Sequence, residues 1–170
     1  VGSFANVNAI SRTQAELVAK QTAERIRAAS RISAVGDGFV VGANYFENKF
    51  YNFSNLSCAS SAPPYQCFCL ERPAGVPDCQ NGTCNEDNMA IYDAWAMSCS
   101  AVQANPKTTI SVACDDSNTG DTDTCSVGSR IEIMLRWPVT VSENRSSTLV
   151  ARCNPNSGDS YACVYKDITL

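Results

Sequence analysis

The sequence predicts an α+β fold: a long N-terminal helix packed on an antiparallel sheet of about four strands, with a second helix and a disulfide-rich central loop between them. Three observations carry this. Residues 6–33 hold a helical period without a Gly or Pro, the period changes to two after Pro106, and ten cysteines fall between these regions and within the second. The expected organisation is an N-terminal helix over 1–35 and a head over 36–170, with a second helix at 85–104 and the sheet at 107–170.

The first helix has two unlike faces. Arg12, Glu16, Lys20, Glu24, Arg27 and Arg31 recur at steps of three and four with mostly alternating sign, which suits a solvated row of i,i+4 pairs. Roughly opposite lie Val7, Ala15, Val18, Ile26 and Ala28, flanked by Ile10, Leu17 and Ile32, an apolar stripe that needs a cover. Arg27 and Arg31 suit the negative end of the helix dipole, and Gly36 and Gly38 stop the helix. No cap-plus-acid signature marks its start, so the helix reads as cut rather than begun, with the native chain expected to continue upstream.

Composition narrows the class. A chain of 170 residues is most simply one domain with a real core. A net charge of −4 and the lack of a basic patch with interleaved aromatics argue against a nucleic-acid partner. No stretch is apolar enough to span a bilayer, and no signal peptide is present within these residues.

The cysteines are Cys58, Cys67, Cys69, Cys79, Cys84, Cys99, Cys114, Cys125, Cys153 and Cys163. No Cys-x-x-Cys pair and no histidine occur, so zinc spacing fails and disulfides in an oxidising compartment are expected, with no metal. Connectivity is not fixed by sequence. The gaps suggest local staples, Cys58–Cys67, Cys69–Cys79, Cys84–Cys99, Cys114–Cys125 and Cys153–Cys163, with Cys67 and Cys69 able to exchange partners.

Residues 35–83 show no sustained period. Phe39-Val40-Val41 and Tyr45 to Phe53 suit short strands or turns, and Pro63-Pro64, Pro73, Gly75, Pro77 and Asn81-Gly82 mark turns. The excursion from Cys58 to Cys79 reads either as a bare disulfide-held loop or as a contact surface. A second helix follows, capped by Asn85 or Thr83, with Glu86 and Asp87 at its start and Pro106 after its end. Met89, Tyr92, Trp95, Ala96, Cys99 and Val102 form its expected core face, with Asp93 expected in solvent.

In the sheet region, Thr108 to Cys114 alternates. From Arg130 to Trp137 the alternation is strict, with Ile131, Ile133, Leu135 and Trp137 on one face. Pro138 should end that ladder or put the strand at an edge. Ser147 to Arg152 and Tyr161 to Leu170 are two further candidate strands in an antiparallel meander.

Chemistry is sparse. Without histidine there is no Ser-His-Asp or Cys-His arrangement, no paired carboxylates stand out, and no enzyme activity or cofactor is expected. The segment from Asp115 to Asp123 resembles a calcium loop in composition, but Gly120 falls one place early and no closing glutamate follows. The preferred reading is a hydrophilic hairpin tip. Asn52, Asn55, Asn81 and Asn144 begin glycosylation sequons.

The run RTQAELVAKQTAERIRA, Arg12 to Ala28, resembles the segment that follows the membrane-spanning part of type IV minor pilins. The helix NEDNMAIYDAWAM, the strand RIEIMLRW and a last strand stapled by Cys153 and Cys163 are similar to the PilV type in that family. The resemblance implies a structural subunit of a pilus, not a catalyst. It implies an upstream helix seated in the inner membrane and later in the fibre core, with a periplasmic head that becomes extracellular. Implied partners are other minor pilins, the major pilin and a large tip adhesin, in assembly priming that serves adhesion and twitching motility. Val7 and Ile10 are the expected stem-packing residues, with head contacts from the Cys58–Cys79 excursion or the 115–124 tip. The alternatives are a minor pseudopilin of a type II secretion system and an unrelated secreted disulfide-rich enzyme or binding domain.

Overall fold

The computed structural model describes residues 2–33, 38–139 and 150–170, with the helical backbone alone for 2–10. The first helix, α1, spans Gly2–Ala28. From Ser11 onward its buried row is Ser11, Ala15, Val18, Ala19, Thr22, Ala23 and Ile26, a helical progression that lies on the head. Arg12, Glu16, Lys20, Glu24 and Arg27 are exposed, as their spacing requires. The stripe nevertheless differs from the expected one. Leu17 and Ala28 face solvent, while small Ala19 and Ala23 and the hydroxyl of Thr22, bonded back to the Val18 carbonyl at 2.8 Å, lie inside. The helix also stops at Ala28, short of Ser33, because Arg31–Ile32 (β1) leaves it to pair antiparallel with Phe39–Val40 (β2).

The second helix, α3, spans Glu86–Ala104 and starts where sequence placed it, with the Asn85 side chain accepting from the Asn88 N–H. Its fully buried face is Ala90, Asp93, Ala94, Met97, Ser98, Ala101 and Val102. This corrects the expected core face. Val102 is buried as expected, but Met89, Tyr92, Trp95, Ala96 and Cys99 are half-buried, and the central excursion reaches Trp95 through the Phe68 carbonyl and Cys99 through the bridge to Cys69. The alanines of α3 and of α1 join one core cluster, and their small size lets the two helices approach closely.

The expected sheet of about four strands has three. Thr109–Asp115 (β3), Arg130–Pro138 (β4) and Tyr161–Thr169 (β5) run antiparallel in the order β3-β4-β5, while β1 and β2 form a separate ribbon. Ile131, Ile133, Leu135 and Trp137 are all buried beneath α1 and α3, as their alternation predicted. Ala151–Cys153 is a 3₁₀ turn and not a strand, and residues 140–149, which include the first half of the proposed strand from Ser147 and the Asn144 sequon, lie outside the described residues.

Pro138 ends β4, but β4 is the central strand and not an edge. The neighbouring bond runs from the Val139 N–H to the Ser160 carbonyl, so the Pro138 nitrogen faces away from β5, past Thr109 where β3 begins. No ladder partner waits there for the missing N–H.

All ten cysteines are paired. Cys58–Cys67, Cys114–Cys125 and Cys153–Cys163 are the local staples expected from sequence. The other two expected pairs are replaced by Cys69–Cys99 and Cys79–Cys84. The physical reason is the fold-back of a short helix, α2 (Pro64–Phe68), which carries Cys69 onto the side of α3 that bears Cys99.

Loop closure predicts unequal contributions: about 3.5 kcal/mol for the 30-residue span of Cys69–Cys99 but about 2 kcal/mol for the 5-residue span of Cys79–Cys84. Replacing Cys79 and Cys84 by alanine should therefore cost about 2 kcal/mol in a urea titration and leave the other four bridges intact in a non-reducing peptide map. Loss of cooperative unfolding in that variant would contradict it.

Candidate interaction surfaces

The attachment of α1 to the head is a polar lock inside an apolar seam. Arg25 on α1 donates from Nη1 to Asp93 Oδ1 at 2.7 Å, and the Tyr45 hydroxyl donates to the other oxygen, Oδ2, at 2.6 Å. The Tyr51 hydroxyl in turn donates to the Tyr45 carbonyl at 2.6 Å. Tyr45 and Tyr51 are fully buried and Asp93 is 6% exposed, so the carboxylate expected in solvent is instead an interior anchor. Its partner in charge comes from 68 residues away, a contact that no local period reports. Burial first, and then the bond to Asp93 and its charge, push the Tyr45 phenol well above its ordinary range. Burial and the Asp93 charge do the same to Tyr51. Both phenols are therefore fixed as neutral donors.

A second polar device closes the sheet. The Asn52 carboxamide accepts from the Ile110 N–H at 2.9 Å and donates to the Ile110 carbonyl at 2.8 Å, which makes it a surrogate ladder partner on the outer edge of β3. Asn154 does the same on the outer edge of β5, accepting from the Tyr161 N–H at 2.8 Å and donating to its carbonyl at 2.9 Å. Asn52 reaches its place from a left-handed backbone, φ 54°, followed by Phe53 at φ 60°. The Asn52 N–H donates to the Ser98 hydroxyl, and Phe53 stacks on Phe68 with centroids 4.6 Å apart, so three elements hold this unusual pair of residues. The Asn52 sequon is thus consumed by structure, whereas Asn55 and Asn81 are exposed.

The 115–124 tip is tied to itself. Asp116 Oδ1 accepts from the N–H groups of Asn118 and Ser126 and from the Ser129 hydroxyl, each at 3.2 Å. Asp121 accepts from the Asp123 N–H at 2.9 Å and from the Asn118 carboxamide at 2.7 Å. Ser33 donates to Asp123 at 2.5 Å, joining the tip to the end of β1. Among the described residues no group of three acidic or cysteine side chains could hold a metal ion.

Partial burial raises the Asp116 pKa, but the hydrogen bonds from Ser126, Asn118 and Ser129 outweigh it and hold the carboxyl below its ordinary range. A lowered folded pKa contributes stability that is complete above the unfolded value and is lost as pH falls through the folded one. The Ser126 amide should therefore keep its exchange protection, relative to Asp116→Asn, through the ordinary carboxylate range at roughly pH 4 and lose it only below. Loss of protection above that range would be the wrong sign.

The excursion that joins Cys58 to Cys79 is folded back rather than loose. Trp95 Nε1 donates to the Phe68 carbonyl at 2.9 Å, Cys69 is bonded to Cys99, and Arg72 donates to the Val76 carbonyl. It presents Leu70, 67% exposed, to solvent. The β1–β2 ribbon presents two more apolar side chains, Ile32 and Phe39, which are paired across it and are 74% and 56% exposed. Beside them a polar cleft of about 320 Å³ is lined by Arg31, Gly42, Glu86, Asp87 and Asp123, with Arg31 bonded to Glu86. A side chain at position 42 would meet the Glu86 carboxylate, so a substitution there would push the end of Glu86 aside.

Of the residues singled out by sequence, Val7 and Ile10 lie in the helical backbone of α1, and their side chains fall outside the described residues. The excursion and the 115–124 tip are separate surfaces; the tip joins the ribbon through Ser33 and Asp123. Sequence reasoning missed the structural roles of Asp93, expected in solvent, of Asn52, read as a sequon, and of Asn154, and it missed the exposed Ile32–Phe39 pair, assigned to the helix and to a short strand or turn. Comparison with protein-family models, with curated proteins and with solved structures finds no match.

Proposed function

We propose that this chain is a structural assembly subunit without catalytic activity, a minor pilin of the PilV type that helps to prime a type IV pilus. In this reading α1 is the lower part of a longer stem, anchored in the inner membrane before assembly and packed among neighbouring stems afterwards. Val7 and Ile10 touch those neighbours, and the head is periplasmic first and extracellular later. Other minor pilins, the major pilin and a large tip adhesin are the partners.

The observation that supports the reading is the division of labour along α1. One face, Ser11 to Ile26, is buried on a disulfide-bonded head and pinned by Arg25 to Asp93, while the opposite face is a row of alternating charges left in solvent. Exposed Leu70 on the excursion, with Ile32 and Phe39 on the ribbon, supplies apolar surface for head-to-head contact.

The native gene decides it. Upstream of the Val1 codon it should encode a short basic leader, a Gly cleavage site and a stretch of about 20 apolar residues with an early Glu. A start codon close to Val1, or a cleavable secretory leader there, would overturn the reading. Charge-reversing substitutions in the 115–124 tip or the excursion should then weaken recovery of partner pilins in a pulldown, and unchanged recovery would remove those loops from the interface.

A further inference from the structure

Asn81 and Gly82 stand exposed in the short loop closed by Cys79–Cys84, and both bonds of the Asn81 amide groups go back to one side chain. The Asn81 N–H donates to Asp78 Oδ1 at 3.1 Å, and its carboxamide nitrogen lies 3.4 Å from each Asp78 oxygen. Gly82 offers a backbone nitrogen with no side chain beside it, and a Cβ there would meet the Asp78 carbonyl at 3.0 Å. We infer that Asn81 is a self-modification site, an asparagine that deamidates through a cyclic imide, and that Asp78 restrains it by holding the carboxamide away from the Gly82 nitrogen.

The chemistry needs only the chain and water. The Gly82 nitrogen attacks Asn81 Cγ, the new N–C bond forms as the Cγ–Nδ2 bond breaks, and Nδ2 leaves as ammonia with the amide proton of Gly82. Water then opens the imide at either carbonyl, leaving aspartate or isoaspartate at position 81. For the attack, Cγ must swing forward over Gly82, and the Asp78 carboxylate is what opposes that swing. The Asp78 carboxyl is held below its ordinary range by the backbone N–H of Asn81 and then by its carboxamide, so it is an anion and an acceptor at neutral pH. Arg72, 3.7 Å away, orients it.

Asn52 serves as an internal control, since its carboxamide is locked on a strand edge, whereas Asn154 precedes Pro155, whose nitrogen carries no proton for the attack. The product would place a carboxylate against Asp78, remove the turn that Asp78 makes with Asn81, and loosen the loop that leads into Asn85 and α3. This inference is independent of the pilus reading.

The test is to incubate the folded, disulfide-bonded protein at mildly alkaline pH and follow each asparagine by non-reducing peptide mapping, in wild type and Asp78→Ala. Position 81 should convert first and faster than Asn55, Asn52 and Asn154 should stay intact, and Asp78→Ala should speed conversion at 81 several-fold. Conversion at 81 no faster than at Asn55 in both proteins would overturn the site. Equal rates at 81 in wild type and Asp78→Ala would overturn the role given to Asp78.

Discussion

Replacing Asn52 with alanine should cost about 4 kcal/mol of folding stability, the largest single-residue effect expected here. Two part-buried backbone groups of Ile110 lose their only ladder partner on that side, at about 1–3 kcal/mol for each group left unpaired. Alanine is also strained by roughly 1 kcal/mol in the left-handed backbone that asparagine tolerates. Two companion variants separate these effects. Asn52→Gly removes the bonds but not the fit to φ 54°, and should recover about 1 kcal/mol relative to alanine. Asn52→Asp keeps an acceptor for the Ile110 N–H but turns a second oxygen on the Ile110 carbonyl, and should be no better than alanine. Urea midpoints at unchanged slope measure all three. A loss below about 1 kcal/mol for alanine would show that water replaces the carboxamide at this edge.

Truncating Asp93 comes next, at about 3 kcal/mol for Asp93→Ala. Breaking an interior ion pair by deleting one partner typically costs 3–5 kcal/mol. Here the Arg25 side chain is 46% exposed and can return to water, which brings the charge contribution down. The Tyr45 hydroxyl cannot return to water. It is buried with Asp93 as its acceptor, and it would be left unpaired. Asp93→Asn should therefore keep roughly half the stability at stake, because a carboxamide oxygen still accepts from Tyr45. Arg25→Ala should cost no more than about 1–2 kcal/mol, and its effect should be smaller again in the Asp93→Ala background. Additive losses in that cycle would mean that Arg25 and Asp93 act separately, and the lock described above would be wrong.

The sequence revealed the regular parts of this fold through period and punctuation. The strict alternation of Arg130 to Trp137 names the buried row of β4 without error, because a strand's two faces differ by one residue and Ile131, Ile133 and Leu135 cannot all be exposed. Asn85, followed by two acids, places the start of α3 for the same local reason. What failed was decided by contacts across long separations. The three- and four-residue steps of Met89, Tyr92, Trp95, Ala96, Cys99 and Val102 predict a core face for α3 of which only Val102 is fully inside. The excursion covers that side, and the alanines, with Asp93, turn inward toward α1 and the sheet. Cys69 and Cys99 were paired with near neighbours because spacing favours short loops, until α2 brought Cys69 to α3. The expected apolar stripe of α1 departs in the same way. Leu17 belongs to the exposed side of α1, and Ile32 leaves the helix for the ribbon, since the turn at Ala29–Ser30 was hidden by an unbroken helical pattern.

One arrangement in this molecule bears on how it is made. Helix α1 lies against β5, so two elements more than 130 residues apart complete a single layer of the core. The row of Ala15, Val18 and Ile26 takes part of its cover from α3 and β4 and is complete only when Tyr161–Thr169 docks, whereas a short-range bridge such as Cys58–Cys67 needs no such distant segment. Contacts of such wide separation slow folding, and the head keeps part of its helical apolar row open to water until β5 is in place.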